Sequence, residues 1–302
     1  MASGPIEQEL QRREDLWAEV LALGGPDGLD PRQINNHGLR LVAGQRGIYR
    51  DADLTGPLTP SGDGLTVGIR ITGRVYPDDV DDEGVLYHYP RTDSRTKDER
   101  EILATKAASE HGLPLFAVIS DGKQRNVRLG WVLDWDDGAE LFLVEFSEQG
   151  SPKYAPSRDD EFFEPFGSGA VVKAGKQTTR PNQRRFRYQV LQRYGAECAF
   201  CPIDKKELLD TAHLIGKEHK GSDESGNGLP VCPTHHRAMG EKTAMLRIHP
   251  ETLEVIADNG ATIAGLRVTK PSLTKMANPP HPVALQYLWD KQEANIGAKS
   301  SG

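Results

Sequence analysis

The sequence predicts an α+β protein: a twisted, barrel-like β domain followed by a small zinc-stabilised ββα domain. Three observations lead there. Residues 38–146 are dense in short β-like runs, all three cysteines of the 302-residue chain fall within 198–232, and a Gly-, Lys- and Thr-rich stretch separates the two regions. The spacing sets boundaries at an N-terminal helix within 1–29, a β domain over 30–166, a linker over 167–182 and a second domain over 183–302.

Ile6, Leu10, Trp17 and Leu21, with Leu16 and Val20 one stripe over, recur at helical spacing between Pro5 and Leu23, and GGPDG stops the helix. The β-like runs follow: LTVGIRITG, GVLYHYP, LPLFAVIS, VRLGWVLDW and AELFLVEF, separated by Gly or Asp-Gly and interrupted by a helix over about Thr96–His111. Their number and aromatic content predict a twisted, barrel-like sheet. After the linker GSGAVVKAGKQTTRPN comes the helix RRFRYQVLQRYG, ending at Gly195. A last helix is expected from Pro282 to Ala294.

No apolar run approaches the ~20 residues of a membrane span, and MASGPIEQELQRRED lacks a signal-peptide layout, so a cytoplasmic protein without membrane contact is expected. Three cysteines in such a chain argue against a disulfide framework. The net charge of −7 weighs mildly against nucleic acid, but charge is local. Between Lys173 and Lys206 nine basic residues (Lys173, Lys176, Arg180, Arg184, Arg185, Arg187, Arg193, Lys205, Lys206) face two acids, Glu197 and Asp204. Such a stripe can dock on phosphates.

Cys198-Ala-Phe-Cys201 and Cys232-Pro-Thr-His235 are two short-spaced pairs, each able to bend round one ion, and together they supply four ligands for tetrahedral Zn²⁺. Pro233 suits the first turn of a helix. Neighbours on a helix diverge by about 100°, so His236 faces away from the zinc and needs a different task. Upstream lie the strand-like LLDTAHLIG with Asp210 and His213, the polar loop KEHKGSDESG, and Asn227-Gly228-Leu229-Pro230.

C-x-x-C, AHL and NGLPVCPTHH, over roughly Arg184–Glu254, resemble the HNH nuclease family and its ββα-metal core. The resemblance implies phosphodiester hydrolysis, with His213 as general base, Asn227 orienting it, and His236 binding a catalytic Mg²⁺ or Mn²⁺. Where many members carry an Asp just before the base, this chain has Ala212. Asp210, on the same face of a regular strand, is the expected replacement ligand, with a structural cap role as the other reading. His219 and Asp223 read as loop-stabilising or phosphate-adjacent.

In the first domain, TGRVYPDDVDDEGVLYHYPRT (Thr72–Thr92) sets acids between tyrosines. Rings can sandwich a flat base while a carboxylate accepts from cytosine N4, which requires the base to leave the duplex. A calcium-like or merely solvated acidic turn is the other reading. The stretch, with GLRLVAGQRGIY upstream, resembles the SRA domain, a PUA-type fold that flips 5-methylcytosine, over about Gly38–Phe146. The resemblance makes Tyr76 and Tyr89 the stacking pair and Asp79 the amine acceptor, with Gly73 and Arg74 on the pocket wall. One extra residue between Asp81 and Gly84, and Tyr89-Pro90 in place of Tyr-Thr, leave Tyr87 as an alternative to Tyr89.

The combined expectation is an SRA–HNH modification-dependent restriction endonuclease acting on double-stranded DNA that contains 5-methyl- or 5-hydroxymethylcytosine. Cutting both strands needs two sites, hence a homodimer. The alternatives are an HNH endonuclease that reads another mark, such as phosphorothioate, or an unmodified sequence, and a non-cleaving methyl-DNA-binding protein.

Overall fold

The computed structural model describes residues 4–35, 38–43, 47–72, 80–156, 163–167 and 182–300. The chain divides into two compact units, Met1–Tyr154 and Ala155–Gly302. Gly73, Arg74, Tyr76 and Asp79 lie outside the described residues, as does most of the expected linker.

The first unit runs α1 (Pro5–Ala22), α2 (Pro31–Ile34), β1 (Ile48–Arg50), α3 (Ala52–Thr55), β2 (Thr66–Ile71), β3 (Val80–Asp81), β4 (Gly84–His88), α4 (Arg95–Glu110), β5 (Leu115–Asp121), β6 (Gln124–Asp136) and β7 (Leu141–Phe146). Its strands form one seven-stranded mixed sheet in the order β1-β2-β5-β6-β7-β4-β3, parallel between β2 and β5 and antiparallel elsewhere. The α+β class is as expected; the barrel is not. Among the described residues the sheet is open. Closure would pair β1 with β3, and these edges are only three and two residues long, too short to carry a closing ladder.

Alternation along β5 sends its residues to two apolar layers. Phe116 and Val118 pack with Trp17 and Val20 of α1, while Leu115 and Ala117 join Phe142, Tyr89 and, from α4, Ile102. The inward stripe of α1 differs from the apolar one expected. Glu9, Arg13, Trp17 and Val20 are buried, whereas Leu21 is exposed. Arg13 donates to Glu9 at 2.8 Å and to the Pro114 carbonyl. Burial would raise the Glu9 carboxyl, but the Arg12 and Arg13 guanidiniums outweigh it and hold the group below the usual carboxylate range.

The second unit contains α5 (Gln183–Tyr194), β8 (Asp210–His213), β9 (Gly228–Val231), α6 (Pro233–Met239), β10 (Leu246–Ile248), β11 (Val255–Ala257) and α7 (Pro282–Ser300). β8 and β9 pair antiparallel, as do β10 and β11. Phe166, expected at the end of the first domain, bridges Gly221 and belongs to this unit. α7 runs past the expected Ala294 and packs inward. Leu285, Leu288 and Gln292 are buried, and Gln292 Nε2 donates to the Met239 carbonyl at the end of α6. Arg247 lies over the Trp289 ring at 3.7 Å and pairs with Asp258 at 2.9 Å. No helix among the described residues is long and apolar enough to cross a membrane.

Candidate active site

The two adjacent histidines follow from how α6 begins. Cys232 is the residue before its first turn and Pro233 opens it, so His235 and His236 leave the helix about 100° apart. His235 turns inward and is 2% exposed, whereas the His236 side chain is 44% exposed.

His235 meets Cys198, Cys201 and Cys232, all buried, and the four ligand atoms lie within 4.8 Å of one another. A tetrahedral shell with bonds of ~2.3 Å sets its ligand atoms ~3.8 Å apart, so the cluster fits one Zn²⁺. His235 Nδ1 lies 3.2 Å from Cys232 Sγ and 3.5 Å from Cys198 Sγ. Its Nε2 donates to the Leu266 carbonyl at 2.9 Å, which puts the proton on Nε2 and the lone pair toward the sulfurs, the usual outer support of a metal-bound imidazole. The Cys232 amide donates to Cys198 Sγ at 3.3 Å, and the Ala199 amide ties the C-x-x-C loop to Pro230 of β9 at 2.8 Å. Without a metal, burial and the neighbouring thiols push the Cys201 thiol up to about 12.

His236 Nδ1 reaches Asp210 Oδ2 at 2.9 Å, joining α6 to β8. Ala212, the position where a ligand is missing relative to the family pattern, is buried at 1% exposure, so Asp210 is the carboxylate on that face of β8 that meets the helix. With 38% of the Asp210 side chain exposed, the pair opens to solvent.

His213 ends β8 opposite Gly228 of β9. Its ring stacks on Phe186 of α5 at 3.8 Å and 15°. Its Nε2 donates to Asp223 Oδ1 at 3.0 Å, and Lys217 Nζ reaches the same oxygen at 2.6 Å. Burial would raise the Asp223 carboxyl, but the bonds from His213 and Lys217 outweigh it and keep the group below its usual range. Asp223 is legible in the sequence only as a loop acid, and neither Phe186 nor Lys217 stands out there. A lone Phe in an amphipathic helix and a charge in a polar loop carry no local signal of what they meet.

Asn227 is fully buried, and its bonds go to backbone. Oδ1 accepts from the Ile215 amide at 2.8 Å, and Nδ2 donates to the Ile215 and Ser222 carbonyls at 3.1 and 2.9 Å. Both amide hydrogens are spent there, on the loop between His213 and Asn227 and not on the imidazole. His219, elsewhere in that loop, bonds Glu241 at 2.7 Å.

Two groups of residues expected at a DNA surface pack partly inward. Tyr89, expected to stack on a flipped base, is 8% exposed, rests on Phe142 at 4.6 Å between ring centroids, and donates its hydroxyl to Asp137 at 2.9 Å. Val85, Tyr87 and Tyr89 alternate onto the sheet face that Ile102 of α4 covers, so the Tyr89 ring packs into the core of that face. Tyr87 remains half-buried. The basic stripe is also partly interior. Arg184, Arg187 and Lys206 are buried, and Arg187 donates to the Leu209 and Lys206 carbonyls at 2.6 and 2.8 Å.

No family model and no curated protein matches this chain. Among solved structures, one titled "Modification dependent TagI restriction endonuclease" aligns with a TM-score of 0.34 and 18% identity, over 89% of this chain and 93% of that one. An overlap this loose assigns the chain neither a fold nor an activity.

Proposed function

We propose that the protein is a metal-dependent DNA endonuclease whose second unit hydrolyses phosphodiester bonds and whose first unit selects DNA carrying 5-methyl- or 5-hydroxymethylcytosine. The observation that carries the nuclease reading is the 2.9 Å pairing of His236 with Asp210, on a strand that ends in His213. It puts one nitrogen and one carboxylate oxygen at the surface of a ββα unit, a donor pair suited to a hard or borderline divalent ion.

In this reading His213 takes the proton of the attacking water. An ionised carboxylate only accepts hydrogen bonds, so Asp223 keeps the proton of the neutral imidazole on Nε2 and the lone pair at Nδ1, the atom that acts as base. Asp210 and His236 hold the catalytic ion. When bound, Mg²⁺ or Mn²⁺ supplies phosphoryl polarisation and stabilises the leaving oxygen. Asn227 keeps the loop closed around the base, and the Cys198, Cys201, Cys232 and His235 knuckle with its Zn²⁺ fixes the start of α6, and so the place of His236. Cleavage of both strands calls for two copies, as a homodimer.

Dependence on a modified base rests on the Thr72–Thr92 stretch, in which Asp79 would accept from the cytosine amine and Tyr76 would stack, with Gly73 and Arg74 beside them. The second ring of this pocket would be Tyr89 or Tyr87, and both are at least partly enclosed in the cluster that includes Ile102. The same enclosure favours, as a second reading, a first unit that recognises another mark, such as phosphorothioate, or an unmodified sequence.

The nuclease reading is tested by Mn²⁺ binding and plasmid cleavage in the wild type, Asp210→Ala and His236→Ala. Each substitution is expected to weaken Mn²⁺ binding and reduce cleavage together. Binding unchanged in both variants contradicts the assignment.

A further inference from the structure

We infer that Asp223 is the positioning residue for the His213 base, itself bound by Lys217 and held in place through Asn227. The inference rests on the reading of His213 as the base, but its geometry stands separately. Two of its contacts bear on the orientation of the imidazole. Phe186 lies flat against one ring face at 3.8 Å and limits tilt. Asp223 takes the Nε2 edge at 3.0 Å and limits rotation within the ring plane. A base whose edge is oriented by a carboxylate is the arrangement that makes an imidazole a directional proton acceptor.

The carboxylate is itself supported from two sides. Lys217 Nζ binds the oxygen that faces His213, at 2.6 Å, and donates to the Gly221 carbonyl at 2.9 Å. Both side chains of the Lys217–Asp223 pair are 19% exposed, so water screens the pair less than a surface bridge. On the other side, Asn227 Nδ2 holds the carbonyl of Ser222, the residue next to Asp223, at 2.9 Å. The buried amide thus reaches the base by way of Ser222 and Asp223, which gives Asn227 a route to His213 without a bond to the ring. The lowered carboxyl of Asp223 agrees with a group that stays ionised whenever the base works.

The test uses the full chain. Asp223→Asn keeps the size of the side chain and removes its charge. We expect kcat for Mg²⁺-dependent DNA cleavage to fall roughly 100-fold, the low end of what a positioned acid–base group supplies, with KM little changed, and Asp223→Glu to recover part of the loss. A second readout is independent of cleavage. Long-range ¹⁵N spectra of the imidazoles at alkaline pH, with His213 identified through His213→Ala, should show the Nε2–H tautomer in the wild type and a mixture in Asp223→Asn. An Nδ1–H tautomer in the wild type, or a tautomer and kcat both unchanged in Asp223→Asn, overturns the inference. If the wild type does not cleave DNA at all, the nuclease reading fails while the spectra still decide whether Asp223 orients His213.

Discussion

Loss of one zinc ligand should undo much more than the knuckle. Consider Cys201→Ala, or treatment of the wild type with a strong chelator. The cluster fastens the C-x-x-C loop, the first turn of α6 and, through His235 Nε2, the Leu266 carbonyl. Structural Zn²⁺ contributes about 10–16 kcal/mol to the folding of small knuckles, against a whole-domain stability of about 5–15 kcal/mol. Three buried thiols and an imidazole cannot replace that. The second unit should therefore lose cooperative structure once the metal is gone, and because His236 is the neighbour of His235 on α6, the Asp210 contact should go with it. Metal analysis should find one zinc per chain. Hydrogen exchange read by mass spectrometry should show residues 198–257 losing protection on chelation, while β5, β6 and β7 keep theirs. A zinc-free chain whose second unit remains as protected as before would show that the metal does not hold this unit together.

Other perturbations act through single contacts. Glu9→Ala leaves Arg13 charged, buried and unpaired, and should cost the first unit about 3–5 kcal/mol in denaturant unfolding at neutral pH. Because Glu9 titrates below its unfolded value of ~4.3, its contribution is complete above that pH and is lost as the pH falls through the lower folded value; Glu9→Gln should flatten that acid limb. Asn227→Ala strips partners from the Ile215 amide and the Ile215 and Ser222 carbonyls, so we expect about 1–3 kcal/mol of lost stability for each group left buried and unpaired, and reduced activity in the fraction that folds. A Cβ on Gly228 would stand 2.6 Å from both Phe186 and Val190, so Gly228→Ala should push Phe186 off His213. A cost of about 1–3 kcal/mol and a fall in cleavage rate are expected; unchanged cleavage would show that the stack is dispensable.

What could be read from the residues was local. The zinc set was legible because its ligands come in pairs three apart, and a pair bends round one ion whatever the rest of the chain does. The divergence of His235 and His236 followed from helix geometry alone. Strand alternation at Ala212 singled out Asp210 as a replacement ligand, and its Oδ2 lies 2.9 Å from His236 Nδ1. What failed was non-local. Whether a sheet closes depends on whether its edge strands are long enough to find each other. The Glu9–Arg13 pair inside the α1 stripe looked polar and therefore outward, because its solvation is replaced by a partner and by a carbonyl 101 residues away. Tyr89 carried the chemistry of a stacking ring, but just past β4 it falls on the face that α4 covers, and the motif gave no sign of that face. Asp223 was visible as a loop acid and not as a partner of His213, since its orientation depends on Lys217 and on the loop that Asn227 closes.

The most direct test is cleavage of three duplexes identical but for one base: cytosine, 5-methylcytosine or 5-hydroxymethylcytosine. Wild type and His213→Ala would be compared with and without Mg²⁺. Cleavage is expected to require Mg²⁺, to be faster on the modified duplexes, and to drop by about 100-fold or more without the His213 imidazole. Cleavage that survives His213→Ala, or none on any duplex, would contradict the assignment of this chain as a modification-dependent nuclease with His213 as its base.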